Sequence, residues 1–137
     1  MRARLPFSVV TKPTGAACNL DCQYCFFLSK ELLYDAAAQT MSEQTLERYV
    51  EAFLESSPDG EVTMLWQGGE PTLRGLHFFE CLIQLCEHYR RPTQRVRHAL
   101  QTNGTLVTDE WARFFADHGF LVGVSIDGPA PLHDAYR

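Results

Sequence analysis

The sequence predicts an α/β fold in which parallel strands are joined by helical crossovers. Short β-prone runs alternate along the chain with stripes of apolar residues at helical spacing, in the order strand, loop, helix, strand, helix, strand, helix, strand. Such an order is typical of parallel strands with right-handed crossovers. Irregular segments rich in Cys, Gly, Asn or Asp follow each predicted strand. The carboxyl ends of parallel strands are where α/β proteins build their sites, so we expect the functional residues there.

The first half of the chain contains two predicted strands and one predicted helix. Residues 5–10 form a short β-prone run, and a cysteine-rich loop follows over residues 15–27. Apolar residues recur at helical spacing over residues 42–57, which predicts an amphipathic helix with its first serine as the N-cap. After a Pro-Asp-Gly turn, residues 61–67 are predicted to form a second strand that runs into the Gly-Gly-Glu-Pro segment at 68–71.

The second half repeats this alternation. A helical apolar stripe covers residues 76–86, and residues 95–102 fit a third strand. Thr108 is predicted to cap a third helix, and Gly119 to end it. Residues 120–126 are apolar on both faces, as expected of a buried parallel strand. Four parallel strands cannot close a barrel, so we expect the chain to be part of a larger fold.

Composition excludes several classes of protein. With 45% hydrophobic, 12% aromatic and 21% charged residues, the 137-residue chain is an ordinary globular mixture rather than a disordered one. A formal charge of −5 disfavours non-specific binding to nucleic acid or anionic membrane. Because no apolar run approaches a membrane span and no secretory signal is recognisable, we expect a cytoplasmic protein. Five cysteines without an export signal favour metal or redox chemistry over disulfides.

Three cysteines carry the sharpest chemical signal. Cys18, Cys22 and Cys25 are spaced C-x₃-C-x₂-C. Soft thiolates suit iron, and three of them on a four-iron cluster leave one iron open to a small molecule. The spacing alone leaves two other interpretations open. The thiols could bind zinc together with a histidine, or they could be unligated, although exposed free thiols are prone to oxidation.

The cysteine loop, with Tyr24 just before its last cysteine, resembles the signature of the radical S-adenosylmethionine (radical SAM) superfamily. Three further blocks resemble one branch, the anaerobic sulfatase-maturating enzymes and their peptide-modifying relatives: WQGGEPTL at 66–73, QTNGTL at 101–106, and VSIDGP at 124–129 followed by His133, Asp134 and Arg137. The resemblance implies a partial (β/α)₆, TIM-like barrel with about four of its strands present. Residues 1–137 would then be the N-terminal part of a radical SAM core domain, without the later strands and the C-terminal cysteine-rich domain.

The resemblance also implies a role for particular residues. Cys18, Cys22 and Cys25 match the ligands of a [4Fe-4S] cluster, whose open iron is chelated by SAM. The implied SAM contacts are Tyr24, Gln67, Gly68, Gly69, Glu70, Ser125 and Arg137, with Gln67 the weaker candidate. The physics fits these assignments, since paired glycines let backbone approach a ligand closely. The carboxylate of Glu70 would pair with the SAM ammonium, and Arg137 would donate to the carboxylate or ribose. The backbone of Tyr24 would lie against the adenine.

The implied activity is reductive cleavage of SAM to methionine and a 5′-deoxyadenosyl radical. In the sulfatase-maturating branch this radical takes a hydrogen from Cβ of a Cys or Ser in a sulfatase, and oxidation yields formylglycine. The electron donor would be a flavodoxin or ferredoxin. The acidic residue proposed as base in that branch lies beyond Arg137, so no catalytic residue is predicted here. Three alternatives stay open: a maturase of another peptide, a non-catalytic iron–sulfur or zinc module, and a structural fragment without cofactor.

Several of the candidate site residues could have an ordinary structural role instead. For the remaining cysteines and four histidines, a structural role is the prediction. Taken alone, residues 68–71 could form a surface turn, and Ser125 and Asp127 could simply end a strand. Two cysteines on a predicted helix, Cys81 and Cys86, are predicted to be core or half-buried thiols. Four histidines are predicted to be surface or hydrogen-bonded side chains: His77, His88, His98 and His118.

Overall fold

The strands form a parallel sheet, as predicted. A computed structural model describes residues 2–27 and 40–137, and within these residues one four-stranded sheet has the order β1-β2-β3-β4. Its strands are β1 (Val9–Thr11), β2 (Gly60–Trp66), β3 (Gln94–Thr102) and β4 (Leu121–Val124). All three pairings are parallel, with Val10 opposite Leu65, Leu65 opposite Ala99, and Leu100 opposite Val122. Sequential strands are neighbours, which is the arrangement expected at the start of a (β/α) barrel.

Each crossover between strands contains a helix. These are α1 (Glu43–Ser56), α2 (Leu76–Tyr89) and α3 (Asp109–Asp117), and they confirm the three predicted helices. The structure adds a 3₁₀ turn at Pro71–Arg74 and a short helix α4 at Ala130–Tyr136, neither of which was predicted. Among the described residues, no helix is both long and apolar enough to cross a membrane.

Local signals place the helix ends as expected. The Ser42 hydroxyl accepts a 3.1 Å hydrogen bond from the backbone N–H of Thr45, so Ser42 is the N-cap of α1. Thr108 caps α3 in the same way by accepting from the N–H of Trp111. Gly119 follows α3 at φ +63°, a left-handed conformation that glycine adopts without a Cβ clash.

The core is a single apolar cluster between the sheet and its helices. Trp66 at the end of β2 is 1% exposed, and its ring makes edge-on contacts with Tyr49, Phe78 and Phe79 at centroid distances of 5.9, 6.3 and 5.8 Å. Such aromatic pairs stabilise a core beyond the area that they bury. The core therefore holds the carboxyl end of β2 rigidly, at the edge where the predicted site residues follow.

Two strands differ from the sequence prediction. β1 is displaced to Val9–Thr11, and Phe7 instead packs edge-on against Phe53 at 5.3 Å. The predicted burial of the fourth strand is wrong, because Leu121 is 73% exposed and Val124 is 52% exposed. The physical reason is that β3 covers one edge of β4, while no other strand among the described residues covers the opposite edge.

Candidate functional site

All ten predicted site residues line one cavity at the carboxyl edge of the sheet. The cavity has a volume of about 320 Å³, and its predicted residues are Cys18, Cys22, Tyr24, Cys25, Gln67, Gly68, Gly69, Glu70, Ser125 and Arg137. They converge because parallel strands all end at the same edge. A larger cavity of about 610 Å³ opens at the opposite edge, where Gly60 and Gln94 begin their strands, and it contains none of the predicted residues.

The three cysteines of the loop are free thiols at this cavity. Cys22 is buried, whereas Cys18 and Cys25 are half-buried. A tight turn joins two of them, since the N–H of Cys25 donates to the carbonyl of Cys22 at 2.9 Å. Burial raises the pKa of Cys22, Arg137 opposes this shift, and the neighbouring Cys25 and Cys18 add to it. Burial thus favours the neutral thiol of Cys22, while the positive charge of Arg137 acts towards the thiolate, which is the form that binds metal.

The three thiols are a donor set that fits an iron–sulfur cluster. Thiolates are soft ligands that suit iron, and iron–sulfur clusters are held by cysteine thiolates. Cys18, Cys22 and Cys25 all line the same cavity.

The glycines after β2 pack against the cysteine loop. The N–H of Gly69 donates to the carbonyl of Gly15 at 2.9 Å, and that of Glu70 donates to the carbonyl of Ala17 at 2.8 Å. A Cβ on Gly69 would lie 1.9 Å from that Ala17 oxygen, and Gly68 has a φ of +132°. The close approach predicted for these glycines is therefore made to protein backbone, and it fastens the cysteine loop to the sheet.

Glu70 is a buried carboxylate with four hydrogen-bond donors. Its Oε1 accepts from the N–H and hydroxyl of Thr72 at 3.1 and 2.7 Å and from the hydroxyl of Thr102 at 2.7 Å. Its Oε2 accepts from the N–H of Asn103 at 2.8 Å. Because Glu70 is 1% exposed, the interpretation of residues 68–71 as a surface turn is wrong. Glu70 joins the carboxyl ends of β2 and β3.

Arg137 is held in the cavity by two side chains. Its Nη1 donates to the Tyr24 hydroxyl oxygen at 2.6 Å and lies 3.3 Å from Oδ2 of Asp127. The Tyr24 hydroxyl in turn donates to the same carboxylate oxygen, and this bond lowers the pKa of Asp127 and raises that of Tyr24. Arg137 also keeps a buried Nε with no hydrogen-bond partner among the described residues. A spare donor in a cavity suits a ligand that carries oxygen atoms.

Sequence reasoning missed the side chains that support the predicted ones. The Ser125 hydroxyl accepts a 2.8 Å bond from the Gln101 amide, and Ser125 N–H donates to the Thr102 carbonyl at 2.9 Å. The amide of Asn103 donates to Asn19 Oδ1 at 2.9 Å, which links the cysteine loop to the end of β3. Gln101, Thr102 and Asn103 all belong to the QTNG block, so the block itself was the signal that could have identified them.

Two residues outside the cavity, Cys86 and His98, were predicted to have structural roles. Cys86 is buried with its thiol 3.7 Å from the sulfur of Met64, and burial raises its pKa to about 12, so it is a core thiol as predicted. His98 contradicts its prediction, because it is 5% exposed and its Nδ1 has no partner in the described structure. Burial, and secondarily the proximity of His118, lowers the pKa of His98 to about 4.

The family model described as the Radical SAM superfamily matches residues 13–137. The chain belongs to the radical SAM superfamily. The chain is 43% identical over 133 residues to a serine-type anaerobic sulfatase-maturating enzyme of Bacteroides thetaiotaomicron, covering 96% of this chain and 32% of that enzyme. It is 39% identical over 133 residues to a cysteine-type anaerobic sulfatase-maturating enzyme of Clostridium perfringens, covering 96% of this chain and 36% of that enzyme. These matches confirm the predicted resemblance to the anaerobic sulfatase-maturating enzymes.

Solved radical SAM structures confirm the partial-barrel fold. The structure of native anSMEcpe with bound AdoMet and Cp18Cys peptide superposes with a TM-score of 0.85 at 40% identity, over 97% of this chain and 34% of that one. Native anSMEcpe with bound AdoMet superposes with a TM-score of 0.87 at 40% identity, over 96% of this chain and 36% of that one. The chain thus spans about a third of the length of the relatives that it matches.

Proposed function

We propose that residues 1–137 are the N-terminal part of a radical SAM enzyme that holds a [4Fe-4S] cluster through Cys18, Cys22 and Cys25 and binds SAM beside it. The observation that carries the proposal is the convergence of three thiols and a buried, unpartnered arginine nitrogen on one cavity. A bound and reduced cluster would supply the electron for reductive cleavage of SAM to methionine and a 5′-deoxyadenosyl radical. The chain's own residues bind and orient these groups.

Arg137 is the best-supported SAM contact. Its Nη1 is fixed by Tyr24 and Asp127, so the guanidinium plane is held in place before a ligand arrives. The free Nε then offers a donor to the SAM carboxylate or to a ribose hydroxyl. A donor that is already oriented loses little conformational entropy on binding, which increases affinity.

The segment after β2 would hold the methionyl part of SAM. Gly68, Gly69 and Glu70 line the cavity beside the cysteines. The carboxylate of Glu70 has about four acceptor positions, and Oε2 is engaged by a single donor, the N–H of Asn103. Its second lone pair could accept from the SAM ammonium while Oε1 keeps the segment in place. We therefore assign Glu70 both a binding and a positioning role.

The remaining assignments follow from the same cavity. The backbone at Tyr24 would lie along the adenine, and the Ser125 hydroxyl, oriented by Gln101, would hydrogen-bond SAM. Gln67 is the weaker candidate, placed at the cavity wall where β2 ends.

For the whole protein we propose oxidation of a Cys or Ser of a sulfatase to formylglycine, with flavodoxin or ferredoxin as electron donor. Relatives named for both serine-type and cysteine-type maturation support the substrate class. We propose a cytoplasmic location without nucleic-acid or membrane partners, in keeping with the formal charge of −5. A maturase of another peptide is the second candidate, favoured over the others because the cavity supports the SAM chemistry whichever peptide is modified.

Anaerobic reconstitution tests the cofactor assignment. The chain is loaded with iron and sulfide and reduced, and its EPR spectrum is recorded with and without SAM. We expect a [4Fe-4S]⁺ signal that changes on addition of SAM. Cys18→Ala, Cys22→Ala and Cys25→Ala should each abolish it, whereas the matched control Cys81→Ala, whose thiol lies outside the cavity, should retain it.

The Arg137→Lys variant distinguishes formation of the cluster from binding of SAM. Lysine keeps the positive charge but lacks the planar set of donors, so we expect an unchanged cluster signal and a weakened response to SAM. A cluster that forms equally well in Cys22→Ala would contradict the ligand assignment. A wild-type cluster that ignores SAM would favour the non-catalytic module instead.

A further inference from the structure

A cluster of unlike ligand atoms lies outside the SAM cavity, where the amino-terminal ends of α1 and α2 meet. The His77 Nε2 atom is 3.6 Å from the Cys81 thiol sulfur and 3.6 Å from Oε1 of Glu43. All three ligand atoms lie within 4.8 Å of one another. None of these residues lines the cavity of the proposed cofactor site.

The fold explains why these three side chains meet. His77 and Cys81 are four residues apart on α2, so they share one face of that helix. Glu43 is the first residue of α1, which packs against α2 through the shared apolar core. The contact therefore depends on the positions of two packed helices rather than on loops.

The separations match those around a single tetrahedral zinc ion. Zn–S and Zn–N distances of about 2.3 and 2.0–2.1 Å place the two ligand atoms about 3.6 Å apart at a tetrahedral angle. The observed distance between the Cys81 sulfur and the His77 nitrogen is also 3.6 Å. A carboxylate oxygen at about 2.1 Å from zinc would lie about 3.4 Å from that nitrogen, close to the 3.6 Å found for Glu43.

The other ring nitrogen of His77 faces a second carboxylate. Its Nδ1 lies 3.7 Å from Oε2 of Glu80. Metal-binding histidines commonly direct the nitrogen that is not ligated at a carboxylate, which fixes the tautomer and increases the basicity of the ligating nitrogen.

We propose that Glu43, His77 and Cys81 form a second metal site that binds zinc, with Glu80 as a positioning residue and water in the fourth position. The side chains of His77 and Glu43 are 77% and 63% exposed, which leaves room for that water. On binding, the Cys81 thiol releases its proton to solvent and the thiolate becomes the ligand. The site links the start of α1 to α2 and is independent of the proposed SAM chemistry.

Zinc titration tests this site, provided that the cysteine loop cannot compete for the metal. In a C18A/C22A/C25A background, zinc is titrated against a chromophoric chelator. We expect one zinc per chain, with Mg²⁺ unable to displace it because a thiolate and an imidazole are poor magnesium ligands. Cys81→Ser and His77→Ala should each weaken zinc binding by more than about 100-fold, and Glu80→Gln by about 10-fold. The control His88→Ala changes an exposed histidine of the same helix and should have no effect.

A second measurement keeps the test decisive if that background folds poorly. In the otherwise unchanged chain, Cys81→Ser should bind one zinc equivalent fewer than the wild type, and zinc should no longer increase its thermal stability through this site. Equal zinc stoichiometry in the two proteins would overturn the proposal. So would a Cys81→Ser or His77→Ala variant that binds zinc as tightly as its C18A/C22A/C25A parent.

Discussion

At the scale of single residues, His98 is the least expected feature of the chain. It lies on β3, where its ring stacks on Phe120 at a centroid distance of 4.8 Å and an interplanar angle of 18°. Nδ1 has no hydrogen-bond partner among the described residues, and burial, with a smaller effect of His118, lowers the pKa of this imidazole to about 4. The burial of His98 therefore makes the stability of the fold depend on pH.

We predict that acid destabilises the chain through His98. The unfolded histidine binds a proton near pH 6.5, whereas the folded one does so near pH 4, so stability is full above 6.5 and is lost as the pH falls between these values. The lowering of the His98 pKa corresponds to a loss of up to about 3 kcal/mol in the free energy of unfolding. Guanidinium unfolding between pH 7 and 4 should show this loss in the wild type. His98→Phe, which keeps the stacked ring, should reduce it, and an equal loss in both proteins would contradict the assignment.

The residues of the candidate site divide into those that a sequence pattern could place there and those that it could not. Cys22, Glu70 and Arg137 belong to recognisable blocks, so residue type and order were sufficient to predict that they lie together at one cavity. The partners of Glu70 and Arg137 depend on which strands adjoin and in what register. Thr102 donates to Glu70 across 32 residues, and Asp127 meets Tyr24 across 103. No local pattern encodes such pairings.

At the scale of elements, the segment after β2 and the cysteine loop form one unit. The contact between the two segments can be tested at Gly69. Its backbone conformation is ordinary, so an added Cβ would act through the Ala17 carbonyl, which fills the space beside its Cα. Gly123 on β4 is the matched position. A Cβ there would meet the end of the Gln101 side chain at 2.3 Å, and that side chain can rotate away.

Gly69→Ala is therefore expected to destabilise the protein much more than Gly123→Ala. A Cβ that meets fixed backbone forces the two segments apart, at a cost of about 1–3 kcal/mol. Urea unfolding should show this loss for Gly69→Ala together with reduced iron uptake on reconstitution. Similar losses in the two variants would indicate that the contact between the segments is not rigid.

Helices α1 and α3 were predictable to within a residue or two because their ends carry their own signals, whereas α2 has no capping side chain and runs three residues beyond the predicted stripe, to Tyr89. Ser42 and Thr108 are capping residues in sequence and in structure. Helix α4 carries no such signal, since Pro129 precedes it and no side chain caps it. The 3₁₀ turn at Pro71–Arg74 likewise depends on Glu70, whose side chain accepts from Thr72 only once the buried network has formed.

At the scale of the whole molecule, the sheet has an apolar open edge. Leu121 is 73% exposed and Ile126 is 69% exposed beside the edge of β4 that no strand among the described residues covers. The alternation of strands and helices was sufficient to predict the parallel sheet. Burial was not predictable, because it depends on what covers β4 and not on the sequence of β4 itself. An exposed apolar strand edge is a site of edge-to-edge association.

We predict that the isolated chain self-associates through β4 as its concentration rises. Leu121→Lys should shift size-exclusion and light-scattering profiles towards the monomer, since a charge on an edge strand opposes pairing. The control Leu132→Lys changes another exposed leucine, which lies outside the sheet on α4 and is 56% exposed. If both substitutions act alike, general hydrophobicity rather than the strand edge drives the association.

The backbone bonds that fasten the cysteine loop tie the separation of its thiols to distant parts of the chain. The carbonyls of Gly15 and Ala17 are bound by the segment after β2, and the N–H of Gln23 donates to the carbonyl of Tyr136 in α4 at 3.0 Å. The arrangement of the three thiols therefore depends on tertiary contacts and not on the loop sequence alone. A substitution that displaces α4 would alter the candidate site without changing a cysteine.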